Sequence, residues 1–155
     1  MQIELMILLR VAVALVLAGV IGWERERRGK AAGVRTHMLV GVGAAMFVVL
    51  GEMFILRFKT YDINVRFDPI RIIEAVVTGI SFLGAGIIFV NRGEERVRGL
   101  TTAASVWTTS AIGLAVGLER YMFAVGSTLI VLIVLRVLTF LETDLDRPSS
   151  EKQPS

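Results

Sequence analysis

The sequence predicts an all-α membrane protein, a bundle of five transmembrane helices, on two observations. Hydrophobic residues make up 54% of the 155 residues and the mean hydropathy is +0.68, a composition typical of chains that lipid solvates. Five apolar stretches each approach the ~20 residues that cross a hydrocarbon core. Because a helix satisfies its own backbone hydrogen bonds, each stretch is expected to be helical in lipid.

The predicted helices cover residues 5–23, 36–56, 70–90, 100–118 and 121–141. The first helix is not expected to be a cleavable signal peptide. It is preceded by Glu4 and not by a basic stretch, and no cleavage site comes before Glu24. Only Glu119 and Arg120 separate the last two helices, which predicts an antiparallel pair. These helices form one predicted domain, residues 1–142, followed by a polar, disordered cytoplasmic tail, residues 143–155.

Orientation follows from the distribution of Lys and Arg, which favour the cytoplasmic side. Ten follow the first and third helices or lie in the tail, five flank the opposite helix ends, and Arg10 and Arg136 lie inside helices. The ten are Arg25, Arg27, Arg28, Lys30, Arg35, Arg92, Arg96, Arg98, Arg147 and Lys152, and the five are Arg57, Lys59, Arg66, Arg71 and Arg120. This bias predicts a multi-pass protein with its N-terminus outside and its C-terminus in the cytoplasm.

Composition also excludes several functions. The net charge of +3 lies in loops between apolar runs, so it indicates topology and no nucleic-acid partner. The absence of Cys excludes disulfides, thiolate metal sites and cysteine nucleophiles. The single histidine, His37, has no Ser/His/Asp pattern around it, so capping or an interfacial hydrogen bond is the expected role. A phosphate-binding loop follows a strand, and no strand is predicted, so such a loop is not expected either. We therefore expect that the chain is not an enzyme and has no cofactor.

Charged residues near the outer ends of three helices form the first predicted functional cluster. Arg10, Glu52 and Glu74 lie roughly 6–8 Å inside the outer boundary at about 1.5 Å per residue. Buried charges are costly, so Arg10 is expected to pair with Glu52, Glu74 or both, unless these side chains snorkel to the interface. Asp68 and Arg71 complete this outer cluster. Metal ligands stay undefined, and without a carboxylate at mid-depth a dehydrated Mg²⁺ site at the bilayer centre is not expected.

A second predicted cluster lies at the cytoplasmic face. Glu24 is the expected counterion of Arg98 or Arg136. Two similar sequence segments lie at the starts of the second and fourth predicted helices. One ends in Arg35-Thr36 and the other contains Arg98 and Thr101, so each supplies an Arg and a capping Thr. They are either a helix start signal used twice or a paired anion-binding or docking site. The full predicted set is Glu24, Arg25, Arg35, Thr36, Arg98, Thr101, Thr102 and Arg136.

Small residues recur at spacings that allow membrane helices to approach closely. The predicted packing glycines are Gly22, Gly79, Gly84, Gly86, Gly113 and Gly117, and Ala14 and Ala18 precede Gly22 at the same spacing. Two interpretations stay open, namely close packing within one subunit and a homodimer that uses one of these faces.

Several strings occur in a characteristic order. They are Leu-Leu-Arg10, Gly19-Val-Ile-Gly22-Trp-Glu24-Arg25, Ala32-Gly33-Val-Arg35-Thr36-His37, Asp68-Pro69-Ile-Arg71, Gly79-Ile-Ser-Phe82-Leu83-Gly84-Ala85-Gly86 and Val97-Arg98-Gly99-Leu100-Thr101-Thr102-Ala103-Ala104. With them the chain resembles the MgtC/SapB family of bacterial inner-membrane proteins from about Glu4 to Leu118. The positions carried over are Arg10, Glu24, Arg25, Arg35, Thr36, Asp68, Arg71, Arg98, Thr101 and Thr102.

The resemblance implies a bundle in the bacterial cytoplasmic (inner) membrane that is linked to growth at low Mg²⁺ and, in pathogens, to survival in macrophages. Members have been discussed as Mg²⁺ transporters and as regulators that bind other membrane proteins, including the ATP synthase. We expect a homodimer that binds and regulates another membrane complex. The alternative is an oligomeric transporter of Mg²⁺ or another small ion that uses the outer acidic residues. Mg²⁺ would then be a sensed or a transported ion.

Overall fold

The computed structural model describes residues 2–59, 68, 70–90 and 97–145. Within these ranges the chain forms five helices, α1 (Gln2–Arg27), α2 (Val34–Lys59), α3 (Ile70–Ile87), α4 (Leu100–Gly117) and α5 (Tyr121–Leu145). A two-residue antiparallel ladder joins β1 (Phe89–Val90) to β2 (Val97–Arg98), with Phe89 opposite Arg98. The all-helical fold class is therefore confirmed.

Four of these helices are long and apolar enough to cross a membrane, with mean hydropathies of 2.6 for α1, 2.3 for Val34–Phe58 of α2, 1.7 for α3 and 1.2 for α4. In α5 the stretch Tyr121–Val137 is apolar but shorter, so the fifth span stays a prediction. The chain is thus a helical protein with several candidate spans, and its orientation stays a prediction as well.

The helix boundaries differ from the predicted ones at most ends. Helices α1 and α2 extend beyond the apolar runs because charged residues continue the helical backbone past the hydrophobic stretch. Helix α3 ends at Ile87 and not at residue 90, because Phe89 and Val90 turn into the ladder, which also corrects the expectation of no strands. Helix α5 runs to Leu145, and the rest of the predicted tail, residues 146–155, lies outside the described residues.

Helix α4 is the centre of the bundle. Of its apolar window 67% is buried, against 28% for α1, 33% for α2 and 17% for α3. Small residues bring α1, α2 and α4 together. A Cβ added to Gly41 would lie 2.6 Å from the Cβ of Ala18, and one added to Gly117 would lie 2.7 Å from the Cβ of Val48. Such close approach lets dispersion forces hold helices together in lipid.

Of the four candidate spans, α3 has the smallest buried fraction. Val76 and Gly84 are its buried residues, and Val76 joins Ala44, Val48 and Leu114 in a small apolar cluster. Near the start of α3, Ile72 lies against Gly51 of α2. Alongside this contact α2 and α3 leave a groove between them, which we call the α2–α3 groove and which has a volume of about 1310 Å³.

Candidate functional site

The first group of charged side chains, here called the Arg10 cluster, consists of Arg10, Glu52 and Glu119. Nη1 of Arg10 donates to Oε2 of Glu52 at 3.0 Å, and Nη2 forms an ion pair with Oε1 of Glu119. The Arg10 side chain is 15% exposed, whereas the two carboxylates are 43% and 50% exposed. One guanidinium, whose several N–H groups can serve two acceptors, therefore bridges α1, α2 and the α4–α5 turn.

The backbone of Glu119 is unusual for its residue type. Its φ of 59° is left-handed, a conformation that Gly adopts most readily. Glu119 follows the C-cap Leu118, and the N–H of Arg120 reaches the carbonyl of Ala115 at 2.8 Å, as in a Schellman turn. Glycine is the usual residue at this position, so the ion pair with Arg10 is the interaction that a carboxylate gains there.

The predicted outer cluster is only partly assembled in this way. The pairing of Arg10 with Glu52 agrees with the expectation, since the two residues lie at matching depths. Glu74 is exposed on α3 and is not among the partners of Arg10, because α3 does not pack against α1 at this level. Glu119 was missed. Its position in a two-residue turn at the same end of the bundle is the signal that could have identified it.

The second group, here called the His37 cluster, consists of Glu24, Arg25, His37 and Ser105 at the opposite end of α1. His37 is fully buried, with Nδ1 2.9 Å from the carbonyl oxygen of Gly33 and Nε2 3.2 Å from Oγ of Ser105. A carbonyl oxygen only accepts, so Nδ1 carries a proton. The Ser105 hydroxyl lies 2.8 Å from the Thr102 carbonyl and links the ring to the start of α4.

Glu24 and Arg25 place a buried charge pair beside this histidine, at 4% and 1% exposure. Nη1 of Arg25 lies 3.5 Å from Oε2 of Glu24, and Nε of Arg28 forms a close ion pair with Oε1. Among the described residues Nε and Nη2 of Arg25 find no hydrogen-bond partner. The helix α1 terminus thus carries more positive than negative charge next to His37.

The predicted cytoplasmic set does not form one cluster. The ion-pair partners of Glu24 are Arg25 and Arg28, which corrects the expected pairing with Arg98 or Arg136. Arg136 points outward from α5, Arg98 lies exposed in β2, and Arg35, Thr36 and Thr101 are also exposed. Thr102 is buried at the start of α4.

The expected Thr caps are wrong at both helices. The Val34 N–H at the start of α2 donates to Oε2 of Glu26 at 2.8 Å, because the α1–α2 turn brings this carboxylate over the helix end. Gly99 is the N-cap of α4 and makes no side-chain cap bond. Its φ of 90° and the adjacent carbonyl of Ile87, which a Cβ would overlap, explain why glycine occupies this position.

The predicted packing glycines fall into two groups. A Cβ on Gly22 would lie 2.7 Å from Cα of Val34, and Gly113 lies directly against the carbonyl of Gly41, so these two residues and Gly117 lie at helix crossings. Gly84 is buried with an ordinary 3.8 Å contact to Ala103. Gly79 and Gly86 depart from the prediction: a Cβ on either would meet nothing within 4 Å, because both lie on the exposed side of α3.

Between the two clusters the core is apolar and tightly packed. Ala14, Ala18, Ala45 and Val116 are at most 1% exposed. Thr109 is buried there, and its hydroxyl donates to the Ser105 carbonyl of its own helix at 2.8 Å. Over the described ranges no three Asp, Glu or His side chains are grouped as metal ligands would be. The polar groups at the two ends are therefore separated by a closed helix interface.

The α2–α3 groove is the third feature. Its walls are apolar, and among the described residues Asp68 and Arg71 are the charged ones that line it, at the end where α3 begins. Oδ1 of Asp68 accepts the Ile70 N–H at 3.0 Å and caps α3. The structure therefore places these two predicted outer residues at the rim of the groove, whereas the described ion-pair partners of Arg10 are Glu52 and Glu119.

The apolar helices, the charge clusters at their ends and the closed core define the class: a multi-pass helical membrane protein. The sequence profile of the MgtC family matches residues 11–144. This chain therefore belongs to the MgtC family, as the ordered motifs predict.

Three relatives in this family are informative. The chain is 41% identical over 130 residues to the "Putative magnesium transporter YhiD" of Escherichia coli K12, covering 84% of this chain and 59% of the relative. It is 33% identical over 132 residues to Protein SapB of Bacillus subtilis, covering 85% and 56%. It is 40% identical over 123 residues to Protein MgtC of Brucella abortus, covering 79% and 47%. The chain thus spans about half to three fifths of the length of these relatives, and no solved structure matches it.

Proposed function

We propose that this protein serves adaptation to low Mg²⁺ in the bacterial inner membrane by binding and regulating another membrane complex. The observation that supports regulation over conduction is the closed interface of α1, α2 and α4 between the Arg10 cluster and the His37 cluster. Gly113 lies against the Gly41 carbonyl and Gly117 against Ala45 and Val48, which leaves no room for an ion and its ligands along this interface. Mg²⁺ keeps several waters and demands oxygen ligands, so it would need a wider polar route.

The link to magnesium rests on the family. One relative carries magnesium transport in its name, and the MgtC/SapB resemblance implies growth at low Mg²⁺. The same resemblance makes the ATP synthase a candidate partner. Exposed basic residues at the end of α1, at the start of α2 and in β2 supply a surface for such a complex, among them Arg27, Arg35 and Arg98.

A second candidate function is transport, and one observation favours it. In the Arg10 cluster two carboxylates share one guanidinium, so the cluster carries an excess negative charge at partly exposed positions that would attract cations. A homodimer could place a polar route between two copies and not through one. Transport would then require the oligomer.

Flux through purified protein separates the two functions. Protein reconstituted in liposomes that contain a Mg²⁺ indicator should give no saturable influx above that of protein-free liposomes, with an added Mg²⁺ ionophore as the positive control. Glu52→Gln removes one carboxylate of the Arg10 cluster at nearly constant volume. Saturable influx that Glu52→Gln abolishes would establish transport and overturn regulation.

Purification from native membranes of cells grown at low Mg²⁺ tests regulation directly. We expect a membrane complex to co-purify in a fixed ratio and Arg98→Ala to reduce its recovery. Arg57→Ala is the matched control. Arg57 is also an exposed Arg, but it lies at the C-terminal end of α2, at the end of the bundle away from the basic surface. A mild cross-link before purification reports on the homodimer. Equal recovery with both variants would contradict a role of the basic surface.

A further inference from the structure

The α2–α3 groove is open along its length and apolar. Its volume of about 1310 Å³ exceeds the ~300–1,000 Å³ of ordinary small-molecule pockets. Leu39, Phe47 and Phe54 line it from α2, and Ile80 and Leu83 line it from α3. Of these, Leu39, Phe47, Phe54 and Leu83 are more than half exposed, so the groove faces the surroundings of the bundle.

The groove has the length of an acyl chain. Leu39 and Phe54 lie fifteen residues apart on α2, about 22 Å along the helix axis, within a hydrocarbon core ~30 Å thick. Gly43 and Gly79 keep its middle wide, because a Cβ on either would meet nothing within 4 Å. The groove therefore accommodates an elongated apolar group parallel to the helices.

One end of the groove is charged. Asp68 and Arg71 lie one turn apart at the start of α3, both are exposed, and both line the groove. Within the ranges that the structure describes, the ion pairs of the protein do not involve Arg71. An apolar channel with a carboxylate and a guanidinium at one end complements an amphiphile whose polar end carries both charges.

We propose that the α2–α3 groove is a binding site for a phospholipid with an ethanolamine headgroup. Arg71 donates to the lipid phosphate, Asp68 accepts from the primary ammonium, and an acyl chain lies along the apolar walls. Phosphatidylglycerol lacks the ammonium and leaves Asp68 without a partner. The quaternary ammonium of phosphatidylcholine has no N–H to donate. The charged pair thus selects a headgroup, which apolar walls alone cannot do.

Native mass spectrometry of purified protein in mild detergent, with equal amounts of the three phospholipids, tests the selection. We expect one phosphatidylethanolamine to be retained in preference to the other two lipids. Arg71→Gln and Asp68→Asn should each reduce its retention roughly tenfold, as loss of a hydrogen bond to a charged group predicts. Asp68→Asn keeps the acceptor for the Ile70 N–H, so α3 still begins in the same place. Arg57→Gln is the matched control and should leave retention unchanged.

Blocking the groove gives an independent arm. Gly79→Leu places a side chain in open space, whereas Gly126→Leu makes the same change on α5 outside the groove, also with nothing within 4 Å of the new Cβ. We expect the first to abolish retention and the second to preserve it, with the same thermal unfolding in both. Equal retention of all three lipids, or equal effects of Arg71→Gln and Arg57→Gln, would overturn the proposal. A photo-crosslinking residue at position 43 that captures a protein helix in native membranes and no lipid would overturn it as well.

Discussion

Gly113 shows how a single missing methyl group sets the distance between α2 and α4. A Cβ at this position would overlap the Gly41 carbonyl, which is backbone and cannot turn away. We therefore expect Gly113→Ala to separate the two helices and to cost about 1–3 kcal/mol of stability, as overpacking does. Thermal unfolding of the purified protein in detergent measures this loss.

Gly126→Ala is the control for this prediction. It adds the same methyl group to a helical glycine whose surroundings are open, so the substitution should be neutral or slightly stabilising through the better helix propensity of Ala. Similar unfolding temperatures for the two variants would show that the close approach at Gly113 does not limit the packing.

Arg10 is the shared partner of two carboxylates, so its loss should cost more stability than the loss of either carboxylate. Arg10→Gln leaves Glu52 and Glu119 facing each other without a counterion, and we expect a loss of about 1–3 kcal/mol. Glu52→Gln or Glu119→Gln alone should cost less than ~1 kcal/mol, because these carboxylates are partly exposed and the other one still pairs with Arg10. Unfolding of the three single variants in one detergent gives the order.

The double variant Arg10→Gln/Glu119→Gln sharpens this prediction. Removal of one carboxylate should relieve part of the repulsion that Arg10→Gln creates, so the two substitutions should cost less together than their sum. If Arg10→Gln is tolerated as well as Glu52→Gln, the guanidinium does not hold the three elements together.

Sequence could identify Arg10 and Glu52 as partners because both lie at a countable depth inside apolar runs. It could not assign Glu119, whose reach depends on the left-handed φ of 59° that turns it back toward α1. It also grouped Asp68 and Arg71 with Arg10, because helix depth is readable from sequence and lateral position is not. Because α3 packs mainly on α4 and not on α1, residues at the same depth lie on different sides of the bundle.

Helix α4 is fixed to the start of α2 through a buried hydrogen bond. Ser105→Ala would leave Nε2 of the fully buried His37 ring without its partner, and we expect a cost of about 1–3 kcal/mol. Ser110→Ala is the matched control on the same helix. Its hydroxyl donates to the Trp107 carbonyl of α4 itself, so its loss should cost less than half as much. Thermal unfolding compares the two, and an equal effect would contradict a role of His37 as the link.

Helix existence was predictable from hydropathy, since each span must be apolar over its whole length. Helix ends were not, because Glu26 and Gly99 act through local geometry that hydropathy does not report. The ladder of β1 and β2 has two residues on each side, which is too short to show the alternating pattern of a strand in the sequence. Sequence favours capping or an interfacial hydrogen bond for His37, because a single polar residue at a helix start gives no sign of burial or of the Ser105 hydroxyl that it meets.

The bundle as a whole is asymmetric, with a tight unit of α1, α2 and α4 and with α3 at its side, packed mainly against α4. Charges gather at the two ends of the tight unit, whereas the groove beside α3 opens along its length. Small residues at the helix crossings hold the tight unit together. The groove beside α3 offers an open apolar surface to other molecules.

The orientation of the helices across the membrane can be tested by labelling the two ends of the bundle. Lys30 lies in the turn between α1 and α2, and Arg120 lies in the turn between α4 and α5, at opposite ends of the bundle. The Lys and Arg distribution predicts that the first is cytoplasmic and the second outside. Since the sequence contains no Cys, Lys30→Cys and Arg120→Cys can each be labelled without background. With a membrane-impermeant maleimide applied to spheroplasts, we expect Arg120→Cys to react at once and Lys30→Cys only after permeabilisation. The reverse pattern would place the N-terminus in the cytoplasm, and the Arg10 cluster would then face the interior of the cell.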